Sequence, residues 1–281
     1  MSKKQKTTLQ KQNRVVRQQK REQRLQKREQ RKQYWFVVKE LTAREIKRKY
    51  SRSTLGILWS VLNPLLTMAV VSLIFTQIFR RSIENFPIYY LTGLLLWQLF
   101  TTATNSAMTS IVDNKLLLLR VKYPMHIFIV SRVYTALVNL GYSLIAFVAM
   151  LLVFKIQPSW FMLFTPIIIV LVLIFALGIA DIMAIAYVFF GDVKHLYGVI
   201  LTLWMYCSAL FYPVEQLNGF IRVVIENNPI YAYIASFRAV IMYQQVPTTA
   251  NIIRMIAWAA LSYFVGQYVF DKNKNKVMQK I

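Results

Sequence analysis

Acidic residues are scarce in this chain. Eleven Asp and Glu stand against 34 Lys and Arg, a formal net charge of +23 over 281 residues. An excess of that size points to an anionic partner, either nucleic acid or a lipid surface. Cysteine is rarer still: the single Cys207 excludes a disulfide framework, and two histidines far apart exclude a Cys/His metal cluster. Its place in an apolar run predicts a buried packing role for Cys207. No G-x-x-x-x-G-K-[ST] motif occurs, so these residues hold no phosphate-binding loop for ATP. No nucleophile, base and orienting acid stand at a catalytic spacing, and no bound cofactor is expected. Charged residues make up only 16% and hydrophobic ones 57%, which excludes an ordinary soluble domain. A cleavable leader is not expected either, because the first apolar run begins only at Leu55 and is too long for one.

What is present is segregated. Nineteen of the 34 basic residues precede Thr54. Residues 1–33 are rich in Gln, Lys and Arg and cannot bury a core, so a disordered or frayed, solvated cytoplasmic tail is expected. Nucleic-acid binding would need a folded soluble domain to present this charge. Since the rest reads as membrane, anionic lipid is the more economical partner and no nucleic acid is expected.

Apolar runs cover residues 55–79, 86–108, 127–154, 164–190, 196–212 and 252–270. Each approaches or exceeds the ~20 residues that cross a bilayer as a helix, the fifth being the shortest. An all-α membrane protein of six transmembrane helices is the simplest reading, with a spanning domain over residues 55–271. Excluding the thirteen basic residues of 1–33, fifteen Lys and Arg fall on the N-terminal side of the membrane and six on the other, which puts both termini, including the tail 272–281, in the cytoplasm. Residues 213–251 are too apolar for a loop and too short in each half to span. They are read as a re-entrant or interfacial helical hairpin between spans five and six, hinged at Asn228 and Pro229.

The segment 34–54 carries the strongest motif. Tyr34, Val37, Val38 and Leu41 would line one face of an amphipathic interfacial helix. Five cations follow, Arg44, Lys47, Arg48, Lys49 and Arg52, and then the run K-Y-S-R-S-T-L-G-x-L-W-S-x-L-N-P-L from Lys49 to Leu65. This pattern, with the chain beyond it, resembles the membrane permease subunit of ABC exporters for lipid-linked polysaccharides, those of teichoic acid, O-antigen and capsule.

The resemblance implies a homodimer with a path at its interface, working with two copies of a separate ABC ATPase that binds ATP and magnesium. It implies a lipid-linked glycan as substrate and the bacterial plasma membrane as location. It implies that segment 113–125 is the coupling helix, with Leu116, Leu117, Leu118 and Leu119 presented to an ATPase groove and Arg120 and Lys122 at its rim. The cationic collar suits a lipid diphosphate, because several charge-assisted bonds can converge on one anion; simple attraction to anionic lipid would use the same residues. The resemblance favours substrate contact.

Asn63 and Pro64 break one backbone bond inside the first span and free the Ser60 carbonyl, giving either a packing kink or a gate hinge. Asp181 is the acid deepest in a span, and Arg132 is its expected intramembrane partner. Trp97, Phe100, Trp204 and Tyr206 are candidates to line a translocation path, since flat rings suit sugar faces. Asp192 is a candidate helix cap. It stands in Gly191-Asp192-Val193-Lys194-His195, where the family pattern has arginine in place of Gly191. Three alternatives remain at this point: an ABC permease for a drug or another lipid, a membrane-embedded polyprenol-lipid transferase, and a scaffold with a nucleic-acid-binding tail.

Overall fold

The computed structural model describes residues 3–51, 53–78, 83, 85–120 and 123–281, with side chains from Arg21 onward except at 77 and 78. Among them are eleven α-helices, two short 3-10 turns and no strand. The first helix, α1 (Lys3–Tyr50), runs unbroken through the basic tail into the amphipathic segment. Val38 and Leu41 are buried and Tyr34 and Val37 pack against the core. That is the i, i+3, i+4, i+7 stripe of a helix lying on a neighbour. The neighbour is α6 (His126–Val153), where Tyr134 meets Trp35 edge-on at 6.0 Å and the Ser131 carbonyl accepts from Thr42 Oγ1 at 3.2 Å.

A tight turn at Gly56, with φ +52°, leads into α2 (Leu58–Ile78). Pro64 lies inside α2 and has no N–H for the Ser60 carbonyl. Ser143 Oγ on α6 donates to that carbonyl at 3.0 Å instead, so the break is mended by a neighbouring helix. Ser60 Oγ also bonds the Tyr50 hydroxyl. One residue thus ties the end of α1, the start of α2 and the middle of α6.

Helix α3 (Phe86–Met108) is the central one, packed by α2, α6, α7 and α10 and buried over most of its length. Two short pieces, α4 (Ser110–Asp113) and α5 (Lys115–Arg120), join it to α6. A 3-10 turn leads into α7 (Thr165–Phe189), and α8 (Val193–Tyr206) follows. Next come α9 (Gly219–Glu226), α10 (Pro229–Ile241) and α11 (Thr249–Lys280). The tightest crossing joins α7 to α11. A Cβ on Gly178 would sit 2.2 Å from the Ser262 backbone, and one on Gly266 would sit 2.3 Å from the Gly178 carbonyl oxygen. Small residues there let two apolar helices meet backbone to backbone.

Among the described residues, four helices are long and apolar enough to cross a membrane: Leu58–Thr76, His126–Val153, Trp160–Phe189 and Thr249–Lys280. Helix α3 has 23 residues, but Gln98, Thr101, Thr102, Thr104 and Asn105 make its second half polar, while α8 has only 14. The last helix continues past Phe270, where the apolar run ends. Val277 is fully buried, and Lys280 Nζ donates to the Phe189 carbonyl at 3.0 Å, closing the end of α7.

Candidate functional site

The richest polar junction sits where α1, α4 and α6 meet. The Arg132 guanidinium, on the second turn of α6, bonds the Glu45 carboxylate of α1 and lies 3.1 Å from Asp113 Oδ2 of α4. Both Arg132 and Glu45 are nearly buried, with 8% of each side chain exposed. Arg48 closes on Glu45 at 2.9 Å. Thr109 Oγ1 donates to Asp113 at 2.9 Å, and Arg44 bonds the Asn114 side-chain oxygen. Asn114 in turn donates to the Ser110 carbonyl at 2.7 Å. The amphipathic helix is therefore locked to the α4–α5 segment through one arginine.

This overturns the expected Asp181–Arg132 pair. The face of α6 bearing Arg132 turns to α1 and α4, which supply two carboxylates, whereas Asp181 on α7 turns to α11. There Asp181 is fully buried, 3.0 Å from His126 Nε2 and accepting from Gln267 Nε2 at 2.9 Å. His126 also meets the Phe270 ring edge-on at 5.1 Å. Burial, and secondly the Asp181 charge, push the Tyr34 phenol on α1 up to about 12.

The collar divides. Arg44 and Arg48 are held by Asn114 and Glu45, while exposed Lys47 and Lys49 enter no ion pair among the described residues. Lys49 lies 5.0 Å over the Tyr50 ring and faces a cavity of about 390 Å³. Arg52 lies outside the described residues, as does Lys122. That cavity is walled by α2, α3 and α6 and includes Asn63 and Pro64 of the broken turn.

The four leucines of α5 do not share one outward face. Leu116 and Leu119 are 72% and 59% exposed, but Leu118 is buried and Leu117 packs on the core. Arg120 is exposed beside them. A second cavity, about 680 Å³, opens between this segment and α11, with Leu119, Arg120, Tyr123, Lys274 and Met278 among its walls.

The aromatic candidates fare differently. Phe100 is fully buried and Trp97 nearly so, and Phe100 stacks on Phe175 at 5.4 Å. Both belong to the interior of the chain and line no path in this conformation. The reason is that α3 is surrounded by four helices. Trp204 is held by Phe100 edge-on at 5.3 Å and donates to Asn228 at 2.8 Å; only Tyr206 of the four is exposed. Cys207 is exposed rather than buried, because α8 ends there with its outer face uncovered. Asp192 stands at the N-cap position just before α8, as expected, but its side chain makes no capping bond.

Sequence reading missed Glu45, Asp113, His126 and Gln267 as partners. Glu45 had a local signal, as a lone acid three residues before Arg48 in a basic run. The others are joined across helices, which no local pattern encodes.

The chain matches the family model described as ABC-2 type transporter over residues 37–242. It is 28% identical to the O-antigen export system permease protein RfbA of Myxococcus xanthus over 251 residues, covering 89% of this chain and 96% of that protein. Against the protein of the same name from Klebsiella pneumoniae it is 28% identical, covering 83% of this chain and 90% of the relative. A shorter likeness, 30% identity over 80 residues, covers 28% of this chain and 31% of the polysialic acid transport protein KpsM of Escherichia coli. With the match spanning the collar helix, the Arg132 junction and everything through α10, the chain belongs to the ABC-2 type transporter family.

Proposed function

We propose that this chain is the membrane subunit of an exporter that carries a polyprenyl-diphosphate-linked polysaccharide or teichoic acid from the inner to the outer face of the bacterial plasma membrane. The observation that carries this reading is similarity along 89% of the chain to an O-antigen export permease. Two copies form the permease, and a separate ATPase subunit supplies ATP, magnesium and hydrolysis. In this reading α3 and α8 complete six spans with the four long apolar helices. The buried position of α3 lets its polar half cross shielded from lipid. The α9–α10 segment is the outer re-entrant hairpin, both termini are cytoplasmic, and the basic tail, amphipathic helix and spanning domain are successive parts.

The collar cations, with Lys47 and Lys49 in no ion pair among the described residues, receive the diphosphate at the inner leaflet. The exposed Leu116 and Leu119 beside Arg120 dock the ATPase, and the Arg132 junction carries its movement to α1 and the hinge at Asn63 and Pro64.

The test is purification of the full chain, tagged at the C-terminus, from its native membrane. A stoichiometric ATPase that dissociates when Leu116 and Leu119 are both changed to Asp supports the exporter. Leu118 is unsuitable for this purpose because it is buried. A chain that arrives alone and gives no nucleotide response overturns it.

A further inference from the structure

The cavity beneath the collar has features beyond those the transport reading uses. It holds about 390 Å³, within the range of small-molecule sites. Three carboxamides converge on it from three helices: Asn63 of α2, Gln98 of α3 and Asn139 of α6. Asn139 lies about 20 Å along α6 from His126 at the helical rise, deep in a span where unpaired polar groups are costly. Its Oδ1 is nonetheless buried, without a hydrogen-bond partner among the described residues, so that a ligand in the cavity reaches it once the carboxamide turns. The Asn63 Oδ1 receives only a long bond, 3.4 Å, from Thr67. Such groups, left unsatisfied by the protein, point to a partner that brings its own hydrogen bonds.

The wall chemistry narrows that partner. Among the described residues no carboxylate lines the cavity, and Lys49 stands at its edge, which disfavours a cation and suits a neutral or anionic group. Leu95, Leu99 and Leu140 form an apolar side, and Trp59 adds an aromatic face. A carboxamide offers one acceptor and two donors, enough to engage neighbouring hydroxyls. A ring with hydroxyls on its rim and C–H faces above and below matches both surfaces. We infer that this cavity receives the first sugar of the lipid-linked substrate, with Asn63, Gln98 and Asn139 bonding its hydroxyls while the attached diphosphate lies at Lys49. The inference rests on the transport reading proposed above and adds the residues that would read the sugar next to the lipid.

The test uses the full chain in detergent and two soluble probes, farnesyl diphosphate and farnesyl diphosphate bearing one hexose. The sugar-bearing probe should bind at least about tenfold tighter to the unchanged protein, a ratio worth about 1.4 kcal/mol. Gln98→Met and Asn139→Leu, on separate helices so that a folding failure in one leaves the other readable, should each bring that ratio close to one without altering the affinity for farnesyl diphosphate. Equal affinity for both probes in the unchanged protein overturns the sugar site while leaving the diphosphate reading standing. Binding of neither probe overturns both. Displacement of the hexose probe by phosphatidylglycerol at similar concentration assigns the cavity to ordinary lipid headgroups and overturns the inference as well.

Discussion

Two buried arginines, Arg132 and Arg238, are held in opposite ways. Arg132 on α6 bonds carboxylates on two other segments, Glu45 of α1 and Asp113 of α4. Arg238 on α10 meets no carboxylate among the described residues. Its guanidinium donates to the carbonyls of Tyr89, Ala209 and Leu210 at 3.3, 3.0 and 3.3 Å and lies 3.4 Å over the Tyr89 ring. Ala209 and Leu210 belong to the irregular stretch after α8, where Ala209 has φ 49°. The arginine therefore satisfies backbone groups that left the helix, as buried carbonyls require. A carbonyl cradle is a fixed anchor. A charge junction between separate segments can be parted and remade with side-chain movements alone, which suits the place where a docked partner would pull.

The comparison breaks most visibly at Arg238. Arg238→Leu takes the arginine donors from the buried Ala209 and Leu210 carbonyls, while that of Tyr89 keeps Thr92 Oγ1 at 2.7 Å; it should cost about 4 kcal/mol, read as the largest fall in thermal unfolding temperature of the detergent-solubilised chain. A change no larger than that of an exposed substitution would show that the cradle is not an anchor. Arg132→Met comes second. It removes the buried partner of the nearly buried Glu45, leaving it the exposed Arg48, and should cost about 3 kcal/mol, of which the double variant Arg132→Met with Glu45→Met recovers more than half. Absence of that recovery would mean that the two residues are not energetically coupled. Smallest is Arg48→Ala: with 62% of its side chain exposed, its bond to Glu45 should be worth under about 0.5 kcal/mol and weaken further in salt. A drop rivalling that of Arg132→Met would place Arg48, not Arg132, at the centre of the junction.

Much of this architecture was legible before any coordinates. The stripe from Tyr34 to Leu41, the break at Pro64, one short helix within segment 113–125 and a change of direction at Asn228 and Pro229 follow from periodicity and backbone chemistry. Asn228 does start α10, accepting from the Ile230 N–H at 3.0 Å. The collar cations were legible too, but not that Arg44 and Arg48 are partly committed to Asn114 and Glu45. The aromatic candidates failed at Phe100 and Trp97 because hydrophobicity marks burial without saying whether protein, lipid or a passing substrate does the burying.

By itself the sequence determined that this chain is helical, membrane-directed, most basic toward its N-terminus and broken at defined points, because those properties come from composition, spacing and local backbone geometry. Only the tertiary structure decided which carboxylate Arg132 takes, that His126 and Gln267 hold Asp181, and that three carboxamides share one cavity. Those choices depend on which faces of separate helices meet. At α7 and α11 that meeting is set by Gly178 and Gly266, whose missing side chains let the two backbones touch and so bring Gln267 to Asp181.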